Sequence, residues 1–365
     1  MYCVLKSLIE LLVMTVLFAV CDLPGIKKYI LAVAISIVFI IVKRKERWES
    51  SHLVYISLPI LTYLAMGILG SFINVNIYTN TLKIILFWLI PLLFSFSLYL
   101  YCGDNMSKII DIQLFASCLA YIMNNGRFII KFFCVESTFA FSFGAFFLYY
   151  IYKKRWGLCS IAALFMYMTD KRISILAVAA ALFVLRITKL FRNDKRIAYF
   201  IWTLVTAAVH GYIWIICSGT LEKFCKAIGI DTSGRVKIYR QIVEWFDAPV
   251  LFTGQGLGIV EIVLDIWNIK AFSNLHNDLL KFYIELGVIG LLIFLISYGV
   301  MLFLVGKRFG NDKMCFILSM TIYSIILFAT DNVSIYILYL IPLYSIQLAV
   351  LTDQKTGKYK KDIKC

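Results

Sequence analysis

The sequence predicts an all-α polytopic membrane protein with about twelve transmembrane helices. Composition is the first reason: 62% of the 365 residues are hydrophobic and 16% are charged, against roughly 45–50% and 25% in an ordinary soluble domain. Recurrence is the second. Apolar stretches of about 20 residues follow one another along the chain, each long enough at ~1.5 Å per residue to cross a hydrocarbon core of about 30 Å. Pattern is the third. The runs are continuous rather than alternating with period two, which selects helices over a closed barrel where no water satisfies the backbone.

In chain order the spans fall at 4–20, 26–42, 53–73, 82–101, 109–123, 128–152, 157–168, 173–185, 197–217, 278–305, 314–329 and 333–351. The second, fifth, seventh and eighth are short, which suits tilted, interfacial or partly re-entrant helices. Lys6 followed by an apolar run resembles the start of a removable signal, and Cys21 a lipoprotein cleavage site. Val20, however, stands where a small residue is needed, so a retained first span is expected. The chain thus divides into helices over 1–217, a long loop over 218–277 with short amphipathic helices, further helices over 278–351, and a basic tail over 352–365.

An excess of 36 Lys and Arg over 21 Asp and Glu suggests a nucleic-acid partner only until the positions are read. One set of short loops and the termini hold 22 of the basic residues, including Lys43-Arg44-Lys45-Glu46-Arg47, Lys153-Lys154-Arg155 and the tail. The opposite short loops hold five: Lys27, Lys28, Arg127, Lys171 and Arg172. By the positive-inside rule both termini are cytoplasmic. The loop between the ninth and tenth spans, and Arg172, then lie on the external face, and no nucleic acid is expected. The ten cysteines sit mostly in apolar segments without metal-ligand spacing. Cys217 and Cys225 are the pair placed near the external loop, and their pairing stays open.

That loop is where polar chemistry concentrates. Asp231-Thr232-Ser233 offers capping side chains for a helix starting near Gly234. Val236, Tyr239, Val243 and Phe246 recur at helical spacing on one face, with Lys237, Gln241 and Glu244 on another. Pro249 and the glycines around Gln255 end it, and 261–269 suits another short helix before His276. The run Gly254-Gln255-Gly256-Leu257-Gly258 lacks the spacing and the preceding strand of a nucleotide fingerprint, and reads as a turn.

Taken singly, Arg172 is an interfacial snorkelling cation beside Asp170, Arg235 a solvated helix residue, and His276 an exposed loop histidine. Their common side changes the reading. Guanidinium forks suit phosphate oxygens, and an imidazole takes a proton from a hydroxyl near neutral pH. Glu136 and Lys131, read inside the sixth span, suit a structural pair or a transport path, and Glu285 suits either orientation of the site or a pair with Lys281. Gly287 and Gly290 suit close helix approach.

The order Ser233-Gly234-Arg235, then Pro249 with Thr253-Gly254-Gln255-Gly256-Leu257-Gly258, then His276-Asn277 and Glu285-Leu286-Gly287-Val288-Ile289-Gly290, resembles the O-antigen polymerase and ligase family over roughly 165–305. Thr169-x-x-Arg172 is similar to the family's Thr-x-Ser-Arg element, with Lys171 where Ser is usual. The resemblance implies a GT-C-like fold in the cytoplasmic (inner) membrane. It also implies a metal-independent, inverting glycosyltransferase with no cofactor, working on a polyprenyl-diphosphate-linked oligosaccharide donor and acceptor. Flippase and chain-length regulator proteins would be its partners in the bilayer. Carried over by position, Arg235 and Arg172 hold the diphosphate and His276 is the base or the orienter for the acceptor hydroxyl. Asn277 and Glu285 are expected to line the substrate, and, from its place a helical turn beyond Arg235 rather than from the resemblance, Arg240 is expected to add a phosphate contact. Polymerisation of repeat units is the first expectation, ligation to another acceptor the second. A flippase or secondary transporter comes third, disfavoured by the long loop and the lack of an internal repeat, and a receptor or scaffold last.

Overall fold

The computed structural model describes residues 2–22, 25, 27–42, 50–74, 79–129, 136–191, 194–229, 234–247, 254–267 and 275–353. Among them there is no strand. The helices are α1 (Tyr2–Cys21), α2 (Lys27–Ile41), α3 (Ser50–Ile73), α4 (Thr79–Cys102), α5 (Met106–Ile129), α6 (Phe139–Lys153), α7 (Trp156–Met168), α8 (Arg172–Leu190) and α9 (Lys195–Cys217). Three short helices follow, α10 (Thr220–Ala227), α11 (Arg235–Trp245) and α12 (Ile259–Ile266), and then α13 (Asp278–Phe309), α14 (Asn311–Phe328) and α15 (Ile337–Thr352). Seven of the described helices, α3, α4, α5, α8, α9, α13 and α14, are long and apolar enough to cross a membrane.

Each stretch read as a span holds helix among the described residues, and the sixth, read as 128–152, has a non-helical stretch at 136–138. α5 reaches Ile129, Glu136 is non-helical and α6 begins at Phe139; residues 130–135, Lys131 among them, fall outside the described residues. Cys217 and Cys225 are both free thiols.

The centre of the bundle is α15. Every residue from Ile337 to Leu351 is buried, as expected of a helix apolar on all sides. Pro342 interrupts it and leaves the carbonyl of Leu338 without its helical donor. The Ser142 hydroxyl of α6 supplies one at 2.7 Å. Around this axis α4, α5 and α6 pack against α15, α2 lies along α4, α1 along α5, α14 along α8, and α13 along α3.

α13 is broken. Gly287 adopts φ 72° and ψ 177° inside it, a region that only glycine enters without strain. The break removes the helical donors of the Ile284 and Glu285 carbonyls, and backbone groups at membrane depth must find others within the protein. The glycine turn supplies them: Gln255 N–H donates to Ile284 at 2.9 Å and Gly256 N–H to Glu285 at 3.0 Å. A Cβ on Gly254 would stand 2.2 Å from the Leu286 carbonyl carbon, so only glycine allows this approach. Asn74, just past the end of α3, donates to the Gly254 carbonyl at 2.8 Å, and Thr81 of α4 to that of Leu257 at 2.8 Å. Residues 254–266 therefore fold back into the bundle between α3, α4 and α13. Leu257, Ile259, Val260, Val263 and Leu264 are buried there, within the stretch the sequence reads as a long loop with short amphipathic helices.

Candidate active site

The turn joining α14 to α15 is the point where Lys171, Arg235 and His276 meet. α14 stops at Phe328, and a short 3-10 helix, Val333–Ile335, leads into α15. Between them Asp331 is 2% exposed. Its Oδ1 accepts the backbone N–H of Asn332 at 2.8 Å and the Tyr336 hydroxyl at 3.1 Å, and it lies 3.2 Å from His276 Nδ1. Its Oδ2 pairs with the Lys171 ammonium at 2.9 Å. Burial by itself would raise this carboxyl. The bond with His276 and the charge of Lys171 override it and hold the group well below the usual carboxylate range. Burial likewise works against the charge on Lys171, but Asp331 and Glu136, the latter at 3.0 Å, raise it above an ordinary lysine.

His276 sits in the left-handed region at φ 55°, a conformation that costs free energy and persists only when its surroundings enforce it. The Tyr239 hydroxyl of α11 donates to its carbonyl at 3.0 Å. The next residue, Asn277, caps α13 by accepting Leu280 N–H at 2.9 Å, and Asp278 accepts the Ser334 N–H and hydroxyl at 2.8 and 2.7 Å. With Nδ1–H donating to Asp331, the neutral imidazole keeps Nε2 as an acceptor. The ring is partly open, with 28% of its side chain exposed.

Arg235 begins α11 after Gly234, which takes the left-handed φ of 77° as N-cap; the capping residues expected at 231–233 lie outside the described residues. Its guanidinium donates to the Thr330 carbonyl at 3.3 Å, one residue from Asp331. Val236, Tyr239 and Val243 are buried as the helical spacing predicts. Below this cluster the Phe141 ring carries Lys171 5.3 Å above its centroid and stacks with Tyr336 at 5.9 Å.

The other expected residues are placed differently. Arg172 is exposed and makes no ion pair or hydrogen bond with the described residues, Asp170 included. Lys171, the departure from the expected pattern, is the one turned inward. Arg240 is held at the surface by Glu222 at 3.1 Å and Glu244 at 2.6 Å. Asn277 is fully buried, with its oxygen spent on the cap and its amide nitrogen donating to Tyr212 at 2.9 Å. Glu285 is fully buried away from His276. It accepts from Tyr63 at 2.5 Å and from Gly258 N–H at 2.8 Å, and lies 4.0 Å from Lys281, which pairs more closely with Glu261. Among the described residues no group of His, Cys, Asp and Glu is arranged to hold a metal ion. Asp331 went unnoticed in the sequence, although Thr330-Asp331-Asn332 is a polar interruption between two apolar runs.

With this geometry in place, the stretch carrying Lys171, Arg172, Arg235 and His276 can be compared with known proteins. Residues 157–295 match the family model for O-antigen ligase. The resemblance to the O-antigen polymerase and ligase family is therefore shown over that stretch, which runs from α7 into α13 past the break. Asp331 and Tyr336 lie beyond the O-antigen ligase match and reach its residues only through the fold. No curated protein and no solved structure matches the chain.

Proposed function

We propose that the chain is a membrane glycosyltransferase acting at the outer face of the cytoplasmic membrane, where it adds a polyprenyl-diphosphate-linked glycan to the next lipid-linked repeat unit. In this reading the protein crosses the membrane twelve times with both termini in the cytoplasm. The observation that carries it is the meeting of Arg235, His276 and Lys171, from three separate segments, at the Thr330–Asp331 turn, with Arg172 next to Lys171 in sequence.

The chemistry follows from which donors and acceptors are still available. Lys171 is committed to Asp331 and Glu136. Arg235 has one long bond out of five donors, and Arg172 has none with the described residues. These two guanidiniums hold the diphosphate and stabilise the charge that builds on it as it leaves. The acceptor hydroxyl oxygen attacks the anomeric carbon from the face opposite the diphosphate. The new C–O bond forms as the old one breaks with its electron pair going to the phosphate, so the configuration inverts. The hydroxyl proton passes to Nε2 of His276, and Asp331 stabilises the imidazolium and fixes the ring. No metal has a role in these steps.

Transfer to a different acceptor is the second reading, favoured by the ligase description of the matching family model. Purified protein in nanodiscs, given defined lipid-linked repeat units, should yield a ladder of lengthening products, and a chelator should leave the yield unchanged. Donor consumed only when another acceptor is supplied would establish ligation. Donor left intact under both conditions, or a strict divalent-metal requirement, would overturn the mechanism.

A further inference from the structure

We infer that α10 is a membrane-surface helix whose Phe224–Ile228 edge is seated among the lipids at the end of the bundle that holds the site. Leu221, Phe224, Cys225 and Ile228 share one edge at helical spacing, and Glu222, Lys223 and Lys226 share the other. The protein covers little of the apolar edge. No residue of α10 is buried, and Phe224 and Ile228 are 58% and 51% exposed.

The fold identifies what covers them. Only Ser218 and Gly219 separate α10 from the end of α9, and Gly219, at φ 68°, lets the chain turn sharply. Neither is extended, with Ser218 at φ −76°, ψ −4° and Gly219 at ψ 4°, so the three steps from Cys217 to Thr220 fall well short of the ~10 Å of a straight chain, and α10 starts close to the level where α9 leaves the hydrocarbon. The headgroup layer on each side of a bilayer is about 5–8 Å deep, which keeps the start of α10 within it. α9 itself turns a bare apolar face outward, with Phe200 63%, Leu204 52% and Trp214 53% exposed, and a tryptophan in the last turn of a span is where the interfacial aromatic belt lies. The lipid-facing surface thus continues from α9 onto α10. A short helix with lysines on one edge and Phe and Ile on the other lies in the plane of the interface. Glu222 then ties this helix to Arg240 of α11 at 3.1 Å. The lipid seat sets the height at which α11 presents Arg235, whatever reaction the site performs.

The test uses the full chain in nanodiscs of phosphatidylethanolamine and phosphatidylglycerol, part of the lipid carrying a photoreactive diazirine in its acyl chain, with adducts located by peptide mass spectrometry. Phe224 and Ile228 should be labelled, as should Phe200 and Leu204 on α9, while a water-soluble amine reagent modifies Lys223 and Lys226. Phe224→Asp should abolish the lipid adduct at Ile228 and leave those on α9, which report an intact bundle. Labelling of Phe224 and Ile228 by a water-soluble diazirine alone would overturn the inference. So would protection from both reagents together with crosslinks through α10 to a second copy.

Discussion

The buried charge clusters around Glu285 and around Asp331 use similar side chains in different ways. Around Glu285 the carboxylate accepts from Tyr63 and Gly258, and Lys281 lies between Glu261 and Glu285. That cluster is turned inward and holds the glycine turn against the break in α13. A broken helix is the device a transporter uses to bind a solute, but here the freed carbonyls are already taken by Gln255 and Gly256. Around Asp331 the carboxylate is likewise saturated, yet its partner His276, Arg235 beside Thr330 and Arg172 next to Lys171 in sequence are not. His276 keeps Nε2, Arg235 keeps most of its donors, and Arg172 has no described partner. The contrast teaches that burial and charge do not separate a structural cluster from a chemical one. Unused donors and acceptors at an accessible edge do.

The largest expected effect breaks the second cluster alone. Arg235→Ala or His276→Ala should lower polymer formation by about 100-fold or more, the scale of a lost general base or charge stabiliser, with membrane abundance unchanged. Full-length product from either variant would dissolve the distinction. Gly254→Ala attacks the first cluster, since its Cβ would meet the α13 backbone at 2.2 Å. A loss of about 1–3 kcal/mol is expected from such overpacking, read as a lower Tm. Gly211→Ala, with open space around it, should cost nothing comparable. Arg172→Lys removes the bidentate fork and keeps the charge. About a tenfold loss in kcat/KM, or ~1.4 kcal/mol, is expected, and wild-type activity would take Arg172 out of the site.

The smallest effect concerns pH. Asp331 is held below its ordinary value of ~3.9, so its contribution to stability is complete above about pH 4 and fades as pH falls toward the lower folded value. The Tm difference between wild type and Asp331→Asn should therefore be constant near neutrality and shrink on acidification. A difference that grows in acid would contradict the assignment of Asp331 as the paired anion.

Much of the helical framework was legible because hydrocarbon length and continuous apolarity are local properties of the chain. α9 and α15 fall where they were read, and the buried face of α11 follows its spacing. The misplacements have a common cause. Glu136 was read inside a helix because the window around it is apolar, and its pairing with Lys171 depends on a residue 35 positions away. Lys171 and Arg172 are adjacent, and nothing local tells which of them turns inward. Asn277 was read as a substrate contact because it neighbours His276, yet it caps α13.

By itself the sequence determined the class of protein, the succession of apolar helices, and which polar excursion carries Arg235 and His276. These follow from the energetics of a chain in hydrocarbon, which each segment expresses alone. Only the tertiary structure decided that Asp331 gathers Lys171 and His276, that Glu285 serves the glycine turn, and that this turn mends the break at Gly287. Each of those depends on donors and acceptors from distant segments meeting within about 3 Å, a coincidence no local pattern encodes.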